Sequence, residues 1–263
     1  MKLCRPLIVA LVIAAGAGSG YAQQEQRRNF ASCPVVQDTK TVPCWLAEYG
    51  GELYYLGIQS DSSAEFHPPY LGHKVLVEGV ISNEPRICGG IVLKPVVVSP
   101  LIEPDPSCNT ILPALDKYTV PNAPRPPGPS DGTLAFQTPA PLQTGAPLQP
   151  PFAAKEFSIY YDFDAPVMGR HAAVLTQIMD YAEKIGAKHV IVSGYRGATL
   201  LSDKAVLTER PGISKDRAEE VADLLERAGL SKAAIQVTFQ GEPEPPHGVD
   251  DWKSRRTTVR VEP

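Results

Sequence analysis

The side chains that could support acid–base or metal chemistry are few in this sequence, and they do not form a recognisable set. Asp162 and Asp164 alternate in a predicted strand, so they share a face but do not converge on one bond, as acid–base catalysis requires. His67 and His73 lie in a proline-containing loop without further metal ligands around them. No Ser/His/Asp or Cys/His set shows the context of an activated nucleophile. We therefore predict a non-enzymatic protein without catalytic residues, metal or cofactor.

The overall charge argues against nucleic acid as a partner. The 263-residue chain has a formal net charge of −4. Proteins that bind phosphate-rich partners carry an excess of basic residues instead. The sequence therefore predicts no nucleic-acid binding.

The first 22 residues have the pattern of a secretory signal peptide. Lys2 and Arg5 give a positive start, residues 7–15 form an apolar run, and small residues follow as far as Ala22. The apolar run is shorter than the ~20 residues that span a bilayer. We predict cleavage after Ala22, and an uncleaved membrane anchor is the alternative.

The cysteines of the mature chain support an oxidising compartment. Four remain after cleavage, and all lie in the first half of the chain: Cys33, Cys44, Cys88 and Cys108. An even number behind a secretory signal predicts two disulfides. The three possible pairings are equally open from the sequence.

Residues 121–151 divide the mature chain into two domains. Ten of these 31 residues are proline, mixed with glycine, serine, threonine and glutamine. Such a segment buries too little apolar surface to fold and predicts a semi-extended linker. The expected domains are a disulfide-stapled β domain, residues 23–120, and a second domain, residues 152–263.

The first domain has the pattern of an all-β fold. Two apolar runs flank Gly50-Gly51, which predicts a hairpin with a two-residue turn, because paired glycines supply the positive φ angles. Two further alternating segments bring the expected number of short strands to four or five. We predict a small barrel or sandwich, with a weak resemblance to an OB-like barrel.

The second domain alternates strands and helices. "EFSIYYDF", "KHVIVSGY", "AIQVTFQG" and "RRTTVRVE" have strand patterns. Residues 169–185 and 213–228 show apolar side chains at helical spacing. The order β-α-β-α-β-β predicts an α/β sandwich, so the whole chain is expected to be an α+β protein.

This second domain resembles the OmpA-like domain of outer-membrane and flagellar-motor proteins. Four segments carry the resemblance, over about two-fifths of the chain. They are "YYDFDA", "VSGY" before the family's Gly-His/Tyr-Thr-Asp turn, "ISKDRAEEVADLL" at its Arg-Ala helix start, and "SRRTTVRV" in its closing strand.

The resemblance implies non-covalent binding to the peptide stem of peptidoglycan at its diaminopimelate residue. That ligand carries an ammonium and a carboxylate, so the family's turn Asp is suited to one group and its helix-start Arg to the other. The matching positions here are Arg217 at the helix start, Tyr195 in the turn and Arg255 in the closing strand.

The turn Asp has no counterpart, because Gly197 occupies its position. Asp203 lies fourteen residues before Arg217, close to the family separation, and is the candidate for a displaced acid. The alternative is a solvated loop carboxylate.

These patterns lead to three hypotheses. The first is a periplasmic or outer-membrane-associated protein that binds peptidoglycan and tethers an N-terminal β domain, which is free to bind another envelope protein. The second is an OmpA-like domain that has lost its ligand and acts as a protein-interaction scaffold. The third is an enzyme with its site in the β domain.

Overall fold

The structure, a computed structural model, describes residues 27–58, 71–118, 120, 150–167 and 172–263. The predicted signal peptide, His67 and nearly all of the predicted linker lie outside the described residues. The signal peptide, its cleavage and the linker therefore stay predictions.

The N-terminal part forms one seven-stranded sheet. Its strands are β1 (Arg27–Ser32), β2 (Pro34–Gln37), β3 (Cys44–Tyr49), β4 (Glu52–Ile58), β5 (His73–Ile81), β6 (Ile91–Pro104) and β7 (Thr110–Leu112). The strand order is β1-β5-β6-β4-β3-β2-β7. The predicted all-β domain is thus confirmed with more strands than expected, and an OB-like arrangement is not confirmed.

The hairpin predicted at Gly50-Gly51 is present. Tyr49 pairs with Glu52 across the turn, and both glycines have positive φ angles, 61° and 78°. This conformation matches the right-handed twist of the flanking strands and favours glycine. Tyr54 on β4 then reaches the core and packs with Phe30 on β1.

The four cysteines form two disulfides in this domain. Cys33 is joined to Cys108, and Cys44 is joined to Cys88. The first links the end of β1 to the segment before β7, and the second links β3 to the turn before β6. Both bridges close long stretches of chain, and they stabilise the domain chiefly by restricting its unfolded state.

The C-terminal part is a four-stranded sheet with two helices. Its elements are β8 (Lys155–Tyr160), α1 (Ala172–Ile185), β9 (His189–Gly194), β10 (Ala198–Leu200), β11 (Val206–Thr208), α2 (Ile213–Arg227), β12 (Ile235–Phe239) and β13 (Arg256–Glu262). The sheet order is β12-β9-β13-β8. The predicted β-α-β-α-β-β order is therefore confirmed for the main sheet.

Both helices pack on one face of this sheet. Ile178 of α1 and Leu225 of α2 share a buried cluster with Val192 and Val259 from the central strands. These residues alternate along each strand, so the opposite face carries side chains such as Ser193. The core thereby fixes the start of α2 against the carboxyl end of β9.

The sequence did not predict the short antiparallel pair of β10 and β11. We call β10, β11 and residues 201–205 between them the insertion hairpin. Ala198 pairs with Thr208, and Leu200 pairs with Val206. The hairpin projects from the segment between β9 and α2, beside the N-terminal sheet.

None of the helices in the described part of the chain is long and apolar enough to cross a membrane.

We expect removal of the Cys33–Cys108 bridge to lower the free energy of unfolding. The double variant Cys33→Ala/Cys108→Ala should lose about 2–5 kcal/mol, because the bridge closes a loop with a sequence separation of 75 residues. Urea unfolding, followed by far-ultraviolet circular dichroism, measures the change. Ser107→Ala is the matched control, and an unchanged midpoint in the double variant would contradict the expected stabilisation.

Candidate functional site

Arg217 is the fifth residue of α2 and is entirely buried. Its guanidinium has five N–H groups, and each one donates a hydrogen bond. Three go to the main-chain oxygens of Asp162, Ala165 and Tyr195 at 2.9–3.2 Å. The other two form a fork on the carboxylate of Glu209 at 2.6 and 2.9 Å. No donor of Arg217 is left for a ligand in this state.

The carboxylate of Glu209 is equally saturated. Each of its oxygens accepts one bond from Arg217 and one from a main-chain amide, Asp164 N–H at 2.9 Å and Gly197 N–H at 2.8 Å. We call the Arg217 guanidinium together with these two amides the carboxylate cradle. Charge-assisted, bidentate bonds of this kind are among the strongest in proteins. In this structure, the cradle holds a carboxylate that belongs to the chain itself.

The local sequence explains how Glu209 reaches the cradle. It directly follows β11, and its own N–H donates to the carbonyl of Gly197 at 3.1 Å, which continues the hairpin ladder. Gly212 then ends the loop with a φ of 88° and leads into α2. Arg217 follows Glu209 by only eight positions, and this turn folds one back onto the other.

Gly197 occupies the position expected for the turn Asp, and the packing leaves no room for a side chain there. A Cβ atom on Gly197 would overlap Ser254 Oγ and crowd Arg255. Glycine at this position therefore permits the close approach between the start of β10 and the segment before β13. The substitution is not an isolated change in an otherwise open turn.

Asp203 does not meet Arg217, contrary to the displaced-acid hypothesis. Asp203 is exposed in the tip of the insertion hairpin, where its carboxylate accepts the N–H of Ala205 at 2.9 Å. The acid opposite Arg217 is Glu209, at the base of the hairpin. The reason is geometric, since the tip of a hairpin points away from the sheet that its base joins.

Tyr195 lies at the edge of this arrangement. Its carbonyl accepts a bond from Arg217, and the guanidinium of Arg256 stacks on its ring with the central carbon 4.4 Å from the ring centroid. Arg256 is held in turn by both carboxylate oxygens of Glu244. Tyr195 is therefore in contact with the site through its main chain, and its ring supports the neighbouring ion pair.

Arg255, the other predicted ligand residue, is fully buried and points away from solvent. Its Nη2 donates to Glu78 Oε2 at 2.5 Å, and its Nη1 donates to Thr199 Oγ1 at 3.1 Å. Glu78 belongs to β5 of the N-terminal sheet, so this ion pair joins the two halves of the chain. A ligand cannot reach Arg255 unless these halves separate.

Burial governs the electrostatics around the cradle. Desolvation raises the pKa of Tyr161 to about 12, so its ring stays neutral beneath Arg217, whose central carbon lies 4.6 Å from the ring centroid. Desolvation also raises the pKa of Asp164, and the nearby Glu209 carboxylate adds to this effect. The site therefore tolerates one carboxylate well and a second carboxylate poorly.

Sequence reasoning identified both arginines but missed both of their acids. Glu209 has no periodic or motif signal, and its distance from Arg217 becomes short only through the hairpin. Glu78 lies in β5 within a run of five buried residues, and a charged residue in such an apolar stretch is the one available signal. Its partner lies 177 residues away, which no local pattern predicts.

No family model and no curated protein matches the sequence. Among solved structures, matches include an OmpA-like domain from Francisella tularensis, 14% identical over 41% of this chain and 75% of that chain, with a TM-score of 0.32. The peptidoglycan-associated lipoprotein from Burkholderia pseudomallei is 23% identical over 40% and 87% of the two chains, with a TM-score of 0.32. The cell wall anchor of the T6SS from Pseudomonas aeruginosa is 18% identical over 41% and 80%, with a TM-score of 0.33. The matches include structures described as OmpA-like and peptidoglycan-associated, the kind that the sequence resemblance predicts, and each covers about two-fifths of this chain.

Breaking the Arg217–Glu209 pair should be costly from either side. Arg217→Ala and Glu209→Ala should each lower the free energy of unfolding by about 3–5 kcal/mol, because each leaves an unpaired buried charge. The double variant should lose less than the sum of the two, since the second substitution removes that charge. Urea unfolding of the four proteins gives the coupling energy, and strict additivity would contradict a direct buried pair.

Asp164→Asn should keep the fold and remove an unfavourable charge at neutral pH. The side-chain oxygen can still accept the N–H of Arg210, and asparagine tolerates the φ of 56° at this position. The folded-state pKa of Asp164 is raised, so its ionised form opposes folding above that pKa and the effect disappears as the pH falls below the unfolded-state value. We expect a gain of less than about 1 kcal/mol at pH 7, because solvent screens a half-exposed charge.

The measurement is the difference in unfolding free energy between Asp164→Asn and wild type at several pH values. The difference should shrink as the pH is lowered through the acidic range. Asp216→Asn, which removes an acid from the first turn of α2, is the control. A variant less stable than wild type at pH 7 would show that the Asp164 charge is favourable instead.

Proposed function

We propose that this chain is a non-enzymatic protein of the bacterial cell envelope that associates with peptidoglycan through its C-terminal domain. The carboxylate cradle is the proposed binding site. The proposed ligand is a residue of the peptide stem that carries a free carboxylate, as diaminopimelate does. Glu209 occupies the cradle in the present state, so a ligand must displace it.

The chemistry of the cradle carries this proposal. A guanidinium fork with two converging main-chain amides is suited to one carboxylate and is already filled by one. Arg217 also lies near the N-terminus of α2, whose dipole favours an anion. Replacing the Glu209 carboxylate with that of a stem peptide would preserve all of these bonds.

Two features lower the expected affinity. Glu209 is attached to the site by a short segment, so its effective concentration is high and an external carboxylate competes against it. The ammonium of the ligand also lacks an acid at the position of Gly197. We therefore expect weak binding by the wild-type protein and stronger binding when Glu209 is weakened.

The contacts between the two halves of the chain favour a second candidate function. In this function, the chain is a protein-interaction scaffold without a sugar-peptide ligand. Both arginines of the resemblance are buried in internal ion pairs, one of them with the N-terminal sheet. On this proposal, the C-terminal domain holds the N-terminal β domain in place, and that domain binds another envelope protein. The two candidates predict different behaviour toward the cell wall.

Co-sedimentation of the mature full-length chain with purified sacculi separates the two candidates. Glu209→Gln keeps the side-chain volume but places an NH₂ group against donors of the cradle. The side chain at position 209 should therefore bind less tightly in the cradle. We expect a larger pelleted fraction for Glu209→Gln than for wild type, and loss of this gain when Arg217→Ala is added. Lys215→Ala, an exposed residue of the same helix, is the matched control.

Sacculi with lysine in place of diaminopimelate test the ligand group, since lysine lacks the second carboxylate. They should not retain Glu209→Gln. If no variant pellets with either kind of sacculus while circular dichroism shows a folded chain, peptidoglycan association is wrong and the scaffold function remains.

A further inference from the structure

The insertion hairpin contacts the cradle at its base and the N-terminal sheet along its first strand. Glu209 follows β11 and fills the cradle. Thr199 and Leu200 of β10, together with Ser202, face the N-terminal domain. One small element of secondary structure thus lies between the proposed ligand site and the other half of the chain.

Hydrogen bonds hold the hairpin to β1. Ser202 N–H donates to the carbonyl of Asn29 at 2.7 Å, and Asn29 N–H donates to Ser202 Oγ at 3.0 Å. The Asn29 side chain donates to the carbonyl of Leu200 and to that of Gly248, each at 3.1 Å. Asn29 is buried, so these are contacts of a packed interface.

A second group of contacts joins the hairpin to β5. Thr199 Oγ1 donates to Glu78 Oε1 at 3.0 Å and accepts a bond from Arg255, which is itself paired with Glu78. All three side chains are buried. Leaving such groups unpaired is costly, so the hairpin, β5 and the segment before β13 are held as one unit.

The hairpin has little stability of its own. Its strands contain three residues each, and an isolated two-stranded ribbon is at best marginally stable in water. Its position therefore depends on its neighbours, and Asn29 and Glu78 supply several of its contacts. When these N-terminal contacts are lost, the free-energy cost of moving Glu209 out of the cradle falls.

We infer that the cradle is an autoinhibited site that the N-terminal β domain keeps closed by clamping the insertion hairpin. Separation of Asn29 and Glu78 from the hairpin releases Glu209 and exposes Arg217 to a carboxylate ligand. The identity of that ligand rests on the proposed function, whereas the clamp itself does not. A partner that pulls on the N-terminal domain would thereby increase attachment of the C-terminal domain.

Amide hydrogen exchange tests the clamp without any ligand. The N–H groups of Asp164 and Gly197 bind Glu209, so their exchange reports how often it leaves the cradle. In the full chain, Asn29→Ala should speed both by about tenfold, because its side chain loses one hydrogen bond to the hairpin, at Leu200, and one to Gly248. The N–H of Val192, in the centre of the main sheet, should not change, which distinguishes local opening from global unfolding.

Lys94→Ala is the matched control, since it breaks an exposed ion pair of the N-terminal domain away from the hairpin. Ser202→Ala is a milder second variant that acts on the same contact, and it should shift the same two amides in the same direction. If both variants leave Asp164 and Gly197 exchanging at the rate of Lys94→Ala, the clamp is overturned.

Sacculus binding by the same proteins separates this inference from the proposed function. The inference expects Asn29→Ala to raise the pelleted fraction, as Glu209→Gln does. Faster exchange with no pelleting of any variant would leave the clamp standing and refute peptidoglycan binding. Pelleting of Glu209→Gln without faster exchange in Asn29→Ala would refute the clamp and leave peptidoglycan binding standing.

Discussion

The bidentate pair between Arg217 and Glu209 is the interaction on which the C-terminal domain depends. Both side chains are fully excluded from solvent, and every donor and acceptor of the two charged groups is used. A buried pair of this kind is tolerable only when it is complete, because a single unpaired charge in the interior is strongly destabilising. The pair therefore constrains β8, the end of β9, the insertion hairpin and the start of α2 to one arrangement.

A second buried pair places the same constraint between the two halves of the chain. Arg255 and Glu78 are both buried, and Thr199 of the hairpin is hydrogen-bonded to each of them. The insertion hairpin is thus common to both pairs. This shared element is the physical basis of the inferred coupling between the position of the N-terminal sheet and the occupancy of the cradle.

Much of the architecture was predictable because it depends on local signals. The turn at Gly50-Gly51 requires positive φ angles, the helices require apolar residues at helical spacing, and the strands of the main sheet alternate. The insertion hairpin escaped prediction because its strands are too short to show a period. Seven N-terminal strands were found where four or five were expected, since short strands such as Pro34–Gln37 depend on pairing with distant partners.

The sequence by itself placed Arg217 and Arg255 among the candidate site residues, predicted that four cysteines form two bridges, and put Gly197 where the resemblance leads one to expect an acid. Only the tertiary structure decided what those arginines bind. Glu209 reaches Arg217 through a hairpin, and Glu78 reaches Arg255 across a domain interface. Whether a cation faces solvent or an internal acid depends on contacts between residues far apart in the chain, and the energy of those contacts appears only when the surrounding groups are desolvated together.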